Sequence, residues 1–159
     1  MKNKAIIFDM GGVLIDLDLE ACKEAFKKNL GFQRIDDIID ACHQKGIWGE
    51  MEEGKITADQ FRQTILAGSF ENAVPQDVDD AVGAILVGIM EYKVALLKRL
   101  AEDYDIYMLS NNNPIATAHA RRINNILLTN VLIFTSLDRY FYILHYQVHI
   151  LKVSTACQG

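Results

Sequence analysis

Ala5-Ile6-Ile7-Phe8-Asp9-Met10-Gly11-Gly12-Val13-Leu14 is the stretch on which the fold of this chain turns. The apolar run from Ala5 to Phe8 reads as a buried strand, and Gly11-Gly12 as the turn that ends it. A short apolar run closing in a glycine pair fits a central parallel strand, with ligand chemistry just past its carboxyl end. Asp9 is the polar residue delivered to that point. A carboxylate there serves as nucleophile, metal ligand or both.

Working outward, helical patterns follow. Glu20 to Leu30 carries Ala21, Cys22, Ala25 and Phe26 on one face, and Gly31 is a natural C-terminal stop. Ile35, Ile38, Ile39 and Cys42 repeat at helical spacing, with an expected end at Gly46. Thr57-Ala58-Asp59-Gln60 is a capping-box pattern ahead of Phe61, Ile65 and Leu66. Pro75 with Asp77, Asp79 and Asp80 marks another helix start, where acids meet the positive end of the dipole. Glu91 to Glu102 is a further helix carrying Val94, Leu96, Leu97 and Leu100. Asp105 to Leu109 then reads as a second strand, ending in Ser110-Asn111-Asn112-Asn113-Pro114. This order predicts an α/β, Rossmann-like parallel sheet with a small helical cap inserted after the first strand. Residues 1–15 and 91–120 form the core in this division, and residues 16–90 the cap.

The tail has a different texture. Of 21 acidic residues, Asp138 alone lies beyond residue 120, and no glycine follows there until Gly159. Phe134, Tyr140, Phe141, Tyr142 and Tyr146 gather in it instead. Ile126 to Phe134 reads as a strand that joins the sheet, whereas Asp138 to Lys152 fits strand and helix equally. Residues 121–159 are therefore an atypical tail supplying one or two core strands.

Two strand ends carry groups suited to phosphate. Asp9 sits before a glycine turn whose bare backbone, Gly12 included, approaches an anion or metal closely. Ser110 and Asn111 supply a hydroxyl and an amide that bond phosphoryl oxygens, or else form an ordinary turn before Pro114. If the two strands are neighbours in a parallel sheet, both ends share its carboxyl edge.

Phe8-Asp9-Met10-Gly11-Gly12-Val13-Leu14 resembles motif I of the haloacid dehalogenase-like (HAD) hydrolase superfamily, and Leu109-Ser110-Asn111 resembles its motif II. The Asp-x-Gly-Gly-Val form, followed by Asp16 and Asp18, is similar to the bacterial sugar-phosphate phosphatase branch and to the N-terminal domain of epoxide hydrolases. The match covers roughly residues 1–118. It implies an Mg2+-dependent phosphatase of small phosphorylated metabolites, a sugar phosphate favoured, working through an aspartyl-phosphate on Asp9. Asp9 is then nucleophile and magnesium ligand, Gly11 lends its carbonyl to the same Mg2+, and Ser110, Asn111 and Gly12 hold the phosphoryl group. Dehalogenation by the same aspartate, without magnesium, is one alternative, and a non-catalytic remnant that binds phosphate or a partner is another.

Most phosphatases of the superfamily carry a second Asp where Gly11 stands, acting as acid and base on the leaving group. Asp16 is a candidate substitute, or simply the start of the cap. After Pro114 neither the family's motif III lysine context nor its motif IV acidic pair is found, and Lys152 is the one lysine there. A disrupted frame or truncation near residue 120 is the expectation, with the lost motifs legible in another frame of the coding DNA.

Composition bounds the remaining classes. The net charge of -5 argues against a nucleic-acid partner, which wants a basic surface. The uncharged run from Ile123 to Leu137 falls short of the ~20 apolar residues of a membrane span. Cys22, Cys42 and Cys157 are few and unpatterned, which favours a reduced, cytoplasmic setting. His145 and His149 lie four apart, as metal ligands on one helix face would, but no third ligand stands nearby. Trp48 and Met51 either line the inner surface of the cap or pack within it.

Overall fold

A computed structural model describes residues 4–39, 46–110, 113–123, 132–135 and 147–151. Its centre is strand β1 (Lys4–Phe8), whose Ala5, Ile6, Ile7 and Phe8 are all buried. Burial on both faces is what a continuous apolar run demands, and it belongs to an interior parallel strand. β1 pairs in parallel with β4 (Asp105–Ser110) on one side and β6 (Gln147–Leu151) on the other. β5 (Leu132–Thr135) lies in parallel beyond β4, giving the order β5-β4-β1-β6.

The tail therefore contributes two strands to the sheet. The strand expected over residues 126–134 is described from Leu132 to Thr135, and residues 126–131 lie outside the described part. The undecided stretch from residue 138 to 152 contains β6, so its described portion is strand.

Between β1 and β4 the chain forms α1 (Leu19–Leu30), α2 (Ile35–Ile38), α3 (Gly46–Glu52), α4 (Ala58–Leu66), α5 (Pro75–Gly83) and α6 (Glu91–Asp103). Local chemistry accounts for their ends. Asp18 caps α1 by accepting from the Ala21 N–H at 2.8 Å, and Gly31 ends it at φ 71°. Thr57 Oγ1 accepts from the Gln60 N–H at 3.1 Å while Gln60 Oε1 accepts from the Thr57 N–H at 2.8 Å, a reciprocal capping box. Asp77 reaches back to the Val74 N–H at 2.8 Å, with Pro75 opening α5.

Three expectations change. The helix expected to run through Ile39 and stop at Gly46 ends at Ile38, with Ile39 extended at φ -132°; Cys42 lies outside the described residues. Gly46, at φ 56°, opens α3 instead. Asn113-Pro114, read as loop, starts helix α7 (Pro114–Ile123), because the Asn113 Oδ1 accepts from the Ala116 N–H at 2.8 Å. The helical insert also stands on an unforeseen antiparallel ribbon of β2 (Asp16–Leu17) and β3 (Leu86–Gly88), with Leu17 opposite Leu86. Strands this short carry no periodicity to read.

The insert has an aromatic centre. Trp48 sits 6.4 Å from Phe26 and 5.8 Å from Phe61 between ring centroids, and Phe32 is 6.3 Å from Phe26. Trp48 and Met51 are 2% and 1% exposed, so both pack within the insert and do not line its surface. Ion pairs tie neighbouring helices at the rim. Arg62 on α4 makes a two-pronged contact with Asp79 on α5, at 2.7 and 3.1 Å.

α5 and α7 pack closely because Gly83 has no side chain. A Cβ placed there would clash with the His119 ring. We expect Gly83→Ala to cost about 1–3 kcal/mol by overpacking. Thermal unfolding followed by circular dichroism checks this, and Gly83→Ala/His119→Ala should recover much of the loss.

Candidate functional site

Asp9 follows the last residue of β1. Because Phe8 pairs with Met108 in a parallel ladder, Asp9 and Ser110 leave the sheet at the same carboxyl edge. Ser110 is the last residue of β4 and pairs with Thr135 of β5. Asn111 lies outside the described residues.

The glycine turn is closed by its own backbone. The N–H groups of Leu14 and Ile15 both donate to the Met10 carbonyl, at 2.9 and 2.8 Å, and the Gly12 N–H donates to the Ile15 carbonyl at 2.8 Å. Met10, Leu14 and Ile15 are buried beneath it, so the loop is seated on apolar side chains. Gly12 takes φ 72°, a left-handed conformation that favours glycine, with nothing within 4 Å of a hypothetical Cβ. One Asp9 oxygen, Oδ1, accepts from the Met10 N–H at 2.7 Å. That bond holds the carboxylate at the strand end while it remains partly exposed.

Gly11 is crowded in a different way. A Cβ there would meet Leu17 Cδ1 at 3.3 Å, so a side chain at this position would have to push the exposed Leu17 side chain of β2 slightly aside. Asp16, the candidate substitute acid, is bound by Lys93 of α6, whose Nζ donates to Oδ1 at 2.7 Å. This pair, half-buried, fastens β2 to α6.

A half-buried carboxylate that no motif singles out lies within the insert. Glu52, at the end of α3, accepts from the Trp48 indole at 2.9 Å through Oε1. Burial raises its carboxyl above the ordinary glutamate range, while hydrogen bonds from Trp48 and Asn113 oppose that shift by favouring the charged form. Asn113 heads α7, three residues after Ser110. Spacing alone offers no signal for this contact, since Glu52 and Asn113 stand far apart in the chain.

Among the described residues no three His, Cys, Asp or Glu side chains cluster as a metal site. The donors at the Asp9 turn are a carboxylate and backbone carbonyls, a hard oxygen set that would suit Mg2+. Cys22 is no rival nucleophile: burial pushes its thiol up to about 12. No helix among the described residues is long and apolar enough to cross a membrane.

A parallel sheet presenting an aspartate and a glycine turn at its carboxyl edge, with a helical insert after its central strand, defines an α/β, Rossmann-like core. The comparisons agree. A HAD family enzyme from Bacteroides thetaiotaomicron, solved as an aspartate-to-alanine mutant with magnesium and inorganic phosphate, superposes with a TM-score of 0.68 at 32% identity over 93% of this chain and 68% of that one. A HAD-like family hydrolase from Porphyromonas gingivalis gives 0.71 at 28% identity, over 90% of this chain and 71% of its own. The D-ribitol-5-phosphate phosphatase of Bacteroides thetaiotaomicron is 34% identical over 117 residues, 74% of this chain. This chain spans 56% of that phosphatase's length. No family model matches the chain. The chain belongs to the HAD family.

Proposed function

We propose that this chain carries the nucleophilic half of a magnesium-dependent phosphatase of small phosphorylated metabolites, with a sugar or polyol phosphate favoured. The observation that carries the reading is Asp9 held at the carboxyl edge by the Met10 N–H, beside the end of β4. The curated relative is named for D-ribitol 5-phosphate, and a related structure holds magnesium and phosphate.

In this reading the free oxygen of Asp9 attacks phosphorus, the P–O bond to the substrate breaks, the leaving oxygen takes a proton from water to depart as the alcohol, and an aspartyl-phosphate forms. Water then cleaves the acyl phosphate, releasing phosphate and restoring Asp9. Mg2+, held by Asp9 and the Gly11 carbonyl, neutralises phosphate charge so that an anion can approach an anion. The phosphoryl oxygens fall to the Gly12 backbone and to Ser110 and Asn111. Residues 16–90 serve as the cap that closes over the site, and residues 1–15 and 91–120 as the core. The net charge of -5 suits a small-molecule substrate better than nucleic acid, and three scattered cysteines suit the cytoplasm.

Purified chain incubated with magnesium and either D-ribitol 5-phosphate or p-nitrophenyl phosphate tests the reading. Slow phosphate release that chelation with EDTA abolishes is expected. Phosphate bound but never released from an ester would leave a non-catalytic phosphate-binding chain. Halide release from chloroacetate without magnesium would replace the phosphatase reading with the dehalogenase one.

A further inference from the structure

Lys93 and Asp16 stand 77 residues apart in the chain and meet at 2.7 Å, Nζ donating to Oδ1. Both side chains are largely withdrawn from water, at 13% and 32% exposed. Local chemistry does not favour a lysine here. Lys93 lies in the first turn of α6, where the positive end of the helix dipole repels a cation, and no side chain caps that helix at Met90. A residue set against its local preference is explained by what it reaches. Lys93 reaches the ribbon.

The ribbon needs an outside hold. Its strands have two and three residues, and its register slips between the Asp16–Gly88 and Leu17–Leu86 pairs. A two-stranded ribbon this short is marginal on its own hydrogen bonds. Gly88, opposite Asp16, takes φ 124°, a conformation that favours glycine and does nothing to stiffen the strand.

What the ribbon touches is the Asp9 turn. Leu17 Cδ1, Cδ2 and Cγ lie 3.3, 3.8 and 3.9 Å from the point where a Gly11 Cβ would stand, so Leu17 rests on Gly11. The Gly12 N–H donates at 2.8 Å to the Ile15 carbonyl, which belongs to the peptide bond leading into Asp16. Fixing Asp16 therefore restrains both the carbonyl that closes the turn and the side chain that covers it.

We propose that Lys93 is a positioning residue: it pins Asp16, and through Ile15 and Leu17 it holds the Asp9 turn in the form that takes Mg2+. The pin stands on geometry, and only its consequence for the metal rests on the function proposed above.

The test uses the full chain. Lys93→Met keeps the alkyl stem and removes the charge. Amide hydrogen exchange at Gly12 and Asp18, whose N–H groups close the turn and the ribbon, is expected to run roughly ten-fold faster in this variant. Calorimetric titration with Mg2+ is expected to show affinity roughly ten-fold weaker, since a less populated turn conformation lowers apparent binding in proportion. Phosphate release from p-nitrophenyl phosphate should need about ten-fold more Mg2+ for half its maximal rate, while the rate at saturating Mg2+ stays within about three-fold of wild type. Asp16→Asn removes the pair from the other side. Lys93→Met/Asp16→Asn should be no worse than either single variant, because both delete one contact. Lys93→Arg keeps the charge and should return every reading to within about three-fold of wild type.

Unchanged exchange in Lys93→Met overturns the pin. Faster exchange with wild-type Mg2+ affinity overturns its reach into the turn. A rate lost at saturating Mg2+ in Asp16→Asn but kept in Lys93→Met makes Asp16 a proton donor in the reaction and overturns the pair as a positioning device. A wild-type chain that takes up no Mg2+ overturns the phosphatase reading instead, and the exchange comparison still decides the pin.

Discussion

Asp9→Asn is expected to lower magnesium-dependent phosphate release by on the order of a thousandfold or more, the scale seen when a nucleophile is removed. Asparagine is nearly the same shape, and its amide oxygen can still accept the Met10 N–H that aligns Asp9. What disappears is the charge that, in the proposed reading, attacks phosphorus and holds the metal. The melting temperature should therefore stay close to wild type while turnover falls. Equal release by both proteins would remove Asp9 from the chemistry. Parallel loss of fold and activity in the circular dichroism melt would mean the change had acted through structure.

The second large effect is on stability. Phe26→Ala should cost about 3–5 kcal/mol, the usual range for deleting a fully enclosed aromatic side chain. Phe26 has no exposed surface and touches Phe32 and Trp48, so its removal opens a cavity where three rings meet. A domain of this size is commonly stable by only about 5–15 kcal/mol, so the loss is a large fraction of the total. The expected fall in melting temperature is roughly 6–20 °C. Trp48 emission should shift to longer wavelength at lower denaturant concentration. Lys28→Ala, which removes an exposed partner of Glu24 on the same helix, should leave the midpoint nearly unchanged. A midpoint for Phe26→Ala equal to that of Lys28→Ala would show that the aromatic cluster does not support the fold.

How far the fold is legible in the sequence depends on how local its causes are. The capping box at Thr57 and the left-handed stop at Gly31 each sit within a few residues, and both are found where the pattern places them. β1 is legible because burial on both faces demands an unbroken apolar run. The β2–β3 ribbon is not, because strands of two and three residues fall below any period. Asn113-Pro114 shows the opposite failure. Asparagine before proline reads as a turn, yet burial and the Ala116 N–H turn it into a helix cap. Gly46 reads as a stop and acts as a start, since positive φ serves either end of a break.

The candidate site divides along the same line. Asp9, Gly11 and Gly12 lie in one turn, so their order along the chain already states their geometry. Ser110 joins them only through the parallel pairing of β1 with β4, an inference from topology that the ladder supplies. The capture of Asp16 by Lys93 and the electrostatic influence of Asn113 on Glu52 are long-range. No spacing rule reaches them.

The two-stranded ribbon has one more implication. The Asp18 N–H donates to the Ile85 carbonyl at 2.8 Å, so the chain departs on its excursion and returns at adjacent points. A segment whose ends already touch adds little strain to the sheet it interrupts, and its length is nearly free to change. The ribbon thus behaves as a socket: the body of helices between those two residues is exchangeable, like a tool head on a fixed handle. Relatives sharing the handle are free to differ in the head, and a chimera joined at Asp18 and Ile85 would exchange that head without disturbing the sheet.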